Sequence, residues 1–208
     1  MSIVTLNNRA LRSATAVGTT TGLGAMIFIK KLTASSSATL SFVDGSSSVV
    51  LDNTYKEYLF TFNNIHPASD TQRFIFQTST DTGSSYGVTV TSSTFGTYHF
   101  ENGSDQQVAY DTNDDLSQST NFQPITNTIG NGNDECGSGY LHLFNPSSTT
   151  FVKHWISNAC ILHNEDLCST RQNAGYFNTT SAITAIRFQM GSGNIDAGTF
   201  KLYGIKDS

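Results

Sequence analysis

The short run "DTNDD" at residues 111–115 sets oxygen-bearing side chains at alternate positions, Asp111, Asn113 and Asp115. A loop with that spacing can wrap a hard cation, so these three residues are candidate ligands for calcium, the one cofactor the sequence suggests. The run departs from an EF-hand loop: Leu116 stands where glycine is needed, and Phe122 where the closing glutamate belongs. A solvated acidic loop is the plainer reading of the same residues.

A second chemistry lies in the aromatics. Tyr98, Tyr110 and Trp155 are candidate glycan-binding platforms, and Tyr176 is a fourth aromatic of the same kind. A flat ring face packs against the apolar CH groups of a sugar while neighbouring Asn and Asp side chains take its hydroxyls. Trp155, set in "FVKHWI", suits a sandwich core equally well.

Catalysis has less to build on, and the chain is not expected to be an enzyme. The five histidines, His66, His99, His142, His154 and His163, show no metal-binding spacing, and His142 and His154 fall in apolar strands, where satisfied, half-buried histidines are common. Cys136, Cys160 and Cys168 are odd in number and lack C-x-x-C spacing, so they read as buried or incidental thiols, with Cys160 a packing residue. No G-x-S-x-G elbow is present, and the neighbours Glu165 and Asp166 point apart in extended chain. A small polysaccharide hydrolase using carboxylates of residues 101–139 is kept as an alternative, as is a carbohydrate-binding module.

These residues must be positioned by strands. "YKEYLFTFNNI" alternates Tyr58, Phe60 and Phe62 with smaller or polar residues, and "TQRFIFQTST" repeats the pattern with Phe74 and Phe76. "ATLSFVDGSSSVVL" reads as a hairpin about Asp44 and Gly45, while Gly87 and Gly96 suggest a bulge or bend. Strand patterning returns in "GYLHLFN", "TFVKHWISNACIL" and "AGYFNTT". It closes with one strand carrying Ile186, Phe188 and Met190 on one face and another carrying Phe200 and Leu202. Nine or ten short strands and no long amphipathic helix predict an all-β chain: a β-sandwich, specifically a jelly roll. The predicted organisation is an N-terminal extended arm over residues 1–22 and one sandwich domain over 23–208. A long irregular excursion at 101–139 holds one short strand near residues 122–128.

Composition bounds the partners. The 208 residues are 37% hydrophobic and include 14 Phe and 8 Tyr, enough to fill a core, yet only 13% are charged. A net charge of -5, with 11 Lys and Arg scattered singly, leaves no basic stripe for nucleic acid. No apolar stretch long enough for a membrane span and no secretory signal are read.

The segments "MSIVTLNNRALRSATAVG", "KKLTASSSATLSFVDGSSSVVLDNTYKEYLFTFNNIHPASD" and "AIRFQMGSGNIDAGTFKLYGI" together resemble marine tailed-bacteriophage virion structural proteins. The resemblance covers residues 1–80 and 180–206. It implies a jelly-roll-like virion protein of the tail-fibre or capsid-decoration type, made in the bacterial host cytoplasm and assembled onto the particle surface. It further implies other virion proteins as partners, a homo-oligomer such as a trimer, and an anchoring arm with Asn7, Asn8, Arg9 and Arg12; a host-surface glycan is kept as the partner of the aromatic alternative. Tail attachment is set slightly ahead of capsid decoration.

Overall fold

The computed structural model describes residues 25–207. The predicted arm, with Asn7, Asn8, Arg9 and Arg12, lies outside the described residues. Twelve strands carry the fold: β1 (Met26–Ser37), β2 (Leu40–Val43), β3 (Glu57–Pro67), β4 (Gln72–Ser79), β5 (Val90–Phe100), β6 (Gln106–Tyr110), β7 (Gln123–Ile129), β8 (Gly137–Phe144), β9 (Lys153–His163), β10 (Leu167–Phe177), β11 (Ala185–Met190) and β12 (Ile195–Ile205). No helix occurs among the described residues, and every strand pairing is antiparallel. The all-β expectation is met.

Period-two alternation explains why these segments are strands. In β3 the side chains of Tyr58, Phe60 and Phe62 are buried and those between them are not; in β9 every odd-numbered residue from Lys153 to His163 is buried. Such a segment is stable only with its apolar face against a second layer. The pairing supplies two layers from one folded-over sheet. One layer runs β1-β12-β3-β8-β9-β10-β5-β6 and the other β7-β4-β11-β2, with Ile129 opposite His163 as the single pair that joins β7 to β9.

Leaving aside β5, β6, β9 and β10, eight strands remain. The first of them pairs with the last (β1 with β12), the second with the seventh (β2 with β11), the third with the sixth (β3 with β8) and the fourth with the fifth (β4 with β7). β1 to β4 alternate between layers, as do β7, β8, β11 and β12, while the step from β4 to β7 stays within the narrow layer, which is the topology of a jelly roll. Two hairpins are inserted into it, β5–β6 and β9–β10: β9 pairs with β8 and β5 pairs with β10, so that together they widen one layer to eight strands.

The core is aromatic. Phe62 of the wide layer meets Phe74 and Phe188 of the narrow one at centroid distances of 5.1 and 5.0 Å, and Trp155 meets Phe76 edge-on at 5.1 Å. Each fully buried ring contributes about 2–3 kcal/mol through removal of apolar surface from water. Phe42, Phe60, Phe177 and Phe200 complete the cluster.

Three local expectations are corrected. The run after Asp44 is not a hairpin partner: β2 pairs with β11, while Val49 and Leu51 plug the core from a loop held by the Leu51 N–H bond to Asp44 Oδ1 at 2.8 Å. The excursion at 101–139 contains all of β6 and β7 and the start of β8. β6, "QQVAY", carried no alternation to reveal it, since all five residues are exposed. Gly96 makes no bend, because β5 stays in register with β10 throughout; a Cβ at that position would collide with the Arg171 guanidinium.

Candidate functional site on the outer sheet face

The wide layer buries one face against the narrow layer and leaves the other open. Because Trp155 points inward, its neighbours His154 and Ile156 must point outward. The antiparallel register then sets His154 opposite Tyr176 and Ile156 opposite Ala174 on β10, with Thr91 and Ser93 following on β5. His142 lies opposite Ile156 on the other side, next to Phe144. Together Phe144, His154, Ile156, Ala174, Tyr176 and Ser93 line a shallow groove of about 470 Å³.

The groove is built of rings on rigid strands. The His154 and Tyr176 centroids are 6.2 Å apart, and His142 and Phe144 are 4.2 Å apart. Ile156 is 47% exposed, a large apolar side chain with nothing packed over it. Gly175 forms the floor: a Cβ there would meet Thr91 O at 2.6 Å and Trp155 Cζ2 at 2.8 Å, so only glycine lets the indole lie directly beneath the strand. The hydroxyls of Thr91, Ser93 and Tyr176 and the exposed His154 ring supply hydrogen-bonding groups at the rim.

The predicted platforms divide among three environments. Trp155 is 1% exposed and packed on Phe76, so it offers no ring face to a ligand; the position that looked like a platform is core. Tyr110 pairs with Phe95 and shares the open face, where its hydroxyl donates to Asp115 Oδ2 at 2.6 Å. Tyr98 pairs with Gln107 on the opposite face of the same hairpin and donates to Asp105 Oδ2 at 2.8 Å. Tyr98 and Tyr110 therefore cannot serve one ligand. Tyr176 is the sequence candidate that lies in the groove. Phe144, Ile156 and Ala174 were not singled out by sequence reasoning, and His154 was read as half-buried; the inward-facing Trp155 was the signal that would have turned both its neighbours outward.

The acidic run is put to other use. Arg171, 8% exposed, donates from Nη2 to Asp111 Oδ2 at 2.8 Å and from Nε to Asp114 Oδ2 at 3.4 Å. Arg73, from the narrow layer, places Nε 2.8 Å from Asp114 Oδ1 in a charge contact rather than an aligned hydrogen bond. Asp114 is 1% exposed; burial, reinforced by Asp111, holds its carboxyl above the usual range, and the guanidiniums of Arg73 and Arg171 offset only part of that. Gln123 Nε2 and Thr94 Oγ1 bind the Asp114 carbonyl, and Asn173 joins Thr94, Ser157 and Ile125 O.

Residues 111–122 thus form a strap over the inner face of the added hairpins, alongside the narrow layer. Two of the three candidate calcium ligands have side-chain partners within the chain. Asp111 is spent on Arg171 and Asp115 on Tyr110, and Asn113 is exposed with its backbone N–H bound to Asp111 Oδ1. Among the described residues no group of three or more His, Cys, Asp or Glu is placed to hold a metal ion.

The remaining chemistry-bearing residues are scattered. Cys160 and Cys168 are exposed neighbours on the open face with sulfurs 3.6 Å apart, so Cys160 is not the packing residue expected, and Cys136 is half-buried. His142 pairs with Glu57 at 2.9 Å, and His163 lies at the junction of the layers. Compared with family models, curated proteins and solved structures, the chain matches none of them.

Proposed function

We propose that the chain is a non-enzymatic structural subunit of a tailed-bacteriophage virion, exposed on the particle as a tail-associated attachment protein, and that the groove beside Tyr176 takes a host-surface glycan. The observation that carries this reading is an open, ring-lined groove on a rigid sheet. Flat apolar rings rimmed by hydroxyls suit a sugar, whose ring presents CH groups on its faces and hydroxyls at its edge. Jelly rolls serve widely as capsid and lectin domains, which supports the particle assignment by analogy of fold. The likeness of residues 1–80 and 180–206 to virion proteins supports it from the sequence side. Asn7, Asn8, Arg9 and Arg12 of the arm are then the contacts to neighbouring virion proteins, after synthesis in the host cytoplasm.

A non-catalytic role is supported by where the charges sit. The carboxylates of Asp111 and Asp114 are locked to Arg171 and Arg73 under the strap, away from the groove. A group that works as acid, base or nucleophile needs access to substrate.

Two measurements test the reading. Immunogold labelling of intact particles is expected to decorate tails; label on tailless capsids alone overturns tail attachment in favour of capsid decoration, and particles without label overturn virion membership. Equilibrium binding to polysaccharide from the host envelope is expected to saturate, and Tyr176→Ala is expected to weaken it about tenfold, the loss of one stacked ring. Shortening of the polymer during incubation would overturn the non-enzymatic assignment.

A further inference from the structure

The wide layer ends in two free edges of different character. At one end β1 is protected: Lys30 and Lys31 sit on it, and its register with β12 shifts between Phe28 and Lys30. The narrow layer ends in β2, only four residues long, and in β7, which carries Pro124. Lysines, bulges and prolines are the devices by which a sheet avoids pairing with another chain. At the other end of the wide layer β6, Gln106-Gln107-Val108-Ala109-Tyr110, has none of them, and all five residues are exposed.

The backbone of β6 shows which groups are unpaired. Phe100 N donates to Asp105 O at 3.0 Å and Asp111 N donates to Thr94 O at 2.9 Å, so the odd-numbered residues turn their N–H and C=O toward β5. Strand alternation then turns those of Gln106, Val108 and Tyr110 outward. The outward Gln106 N–H already bonds the Asp105 Oδ1 of its own chain at 2.9 Å.

We propose that β6 pairs antiparallel with β6 of a second copy of this chain about a twofold axis at Val108, joining two wide layers into one continuous sheet. The choice of a second copy follows from self-complementarity. With Val108 opposite Val108, Gln106 falls opposite Tyr110 on both sides of the axis, so every outward-turned residue meets another outward-turned residue. Val108 contributes two backbone hydrogen bonds and the Tyr110 N–H to Gln106 C=O contacts two more, about four in all, with Asp105 keeping its bond to Gln106.

The side chains agree with the backbone. Val108 is 74% exposed, Tyr110 54% and Phe95 47%, and all three lie on the open face beside the axis. Pairing sets two such patches side by side on one face, where Val108 meets its counterpart across the axis. No residue of β6 is charged, so self-pairing brings no like charges together within the strand. Asp105 and Asp111 flank it, and each already has a partner in its own chain, the Tyr98 hydroxyl and the Arg171 guanidinium. A twofold pair, and not the trimer that the virion resemblance implies, is the assembly this edge builds.

Mass in solution, by light scattering on the eluting full-length chain, tests the pairing. The wild type at about 100 µM is expected at about 45 kDa, twice the 22.5 kDa of one chain. Val108→Pro removes an outward N–H and is expected at the single-chain mass with its melting midpoint nearly unchanged, since that N–H makes no bond within the chain. Val108→Thr keeps the outward backbone and is expected to remain paired. Should Val108→Pro fail to fold, Val108→Lys sets two ammonium groups across the axis and is expected to weaken the pair at least tenfold. A single-chain mass for the wild type, a mass of three chains, or a pair that survives both Val108→Pro and Val108→Lys overturns the proposal.

Discussion

His163 stands at the pair that joins the two layers, and its hydrogen bonds define its protonation. Nδ1 accepts the Glu165 N–H at 3.2 Å, so the neutral ring carries its proton on Nε2 and donates to Thr128 Oγ1 at 2.6 Å. Burial holds its pKa below the usual 6.5, with Glu165 opposing and Arg171 reinforcing. The unfolded chain takes up a proton as pH falls through about 6.5 while the folded chain does not, so stability present above that value is lost as the pH drops toward the depressed folded value. The melting midpoint is expected to fall between pH 7 and pH 5, and less steeply in His163→Gln; identical profiles for the two chains would remove His163 from this role. Trp155 makes the complementary point at the same scale. Truncation to alanine is expected to cost about 3–5 kcal/mol in urea unfolding, because it empties a cavity against Phe76 and Phe177. A loss below about 1 kcal/mol would contradict its placement in the core. The sequence left Trp155 open between core and platform, since a tryptophan in an alternating strand has two faces to choose from and only the second layer decides between them.

The strap over residues 111–122 is the element whose purpose was least legible. Its oxygen spacing suggests a cation, and the cation it meets is Arg171, 57 positions away from Asp114 and 60 from Asp111. No local pattern reports a partner at that separation. Asp114→Ala is expected to lower unfolding free energy by about 3 kcal/mol, since it leaves a buried guanidinium with one partner fewer and frees Arg73. A change under about 0.5 kcal/mol would show that the strap is not clamped through Asp114. Other elements were plain from alternation alone: β3, β11 and β12 bury the residues that period two selects. β2 was mispaired by the same reasoning, because an Asp-Gly turn signal names a reversal of the chain and says nothing about which strand lies alongside afterward. β6 gave no signal, being exposed on both faces.

At the scale of the molecule, the all-β class followed from composition and period, while the order of strands did not. A jelly roll pairs its first strand with its last, and the inserted hairpins become neighbours because β5 pairs with β10 while β9 extends β8; such contacts are set by packing of the whole. The result is a sheet wider on one side than the other. Its buried face holds the core and the strap, and its open face holds the groove and, at the β6 edge, the self-complementary strand. The groove is the center of the functional account, and its most direct test is equilibrium binding of host-envelope polysaccharide to the wild type and to Tyr176→Ala, with circular dichroism confirming that both are folded. The account predicts saturable binding by the wild type and about tenfold weaker binding by the variant. A folded wild type that binds no polysaccharide, or a Tyr176→Ala chain that binds as well as the wild type, would contradict it.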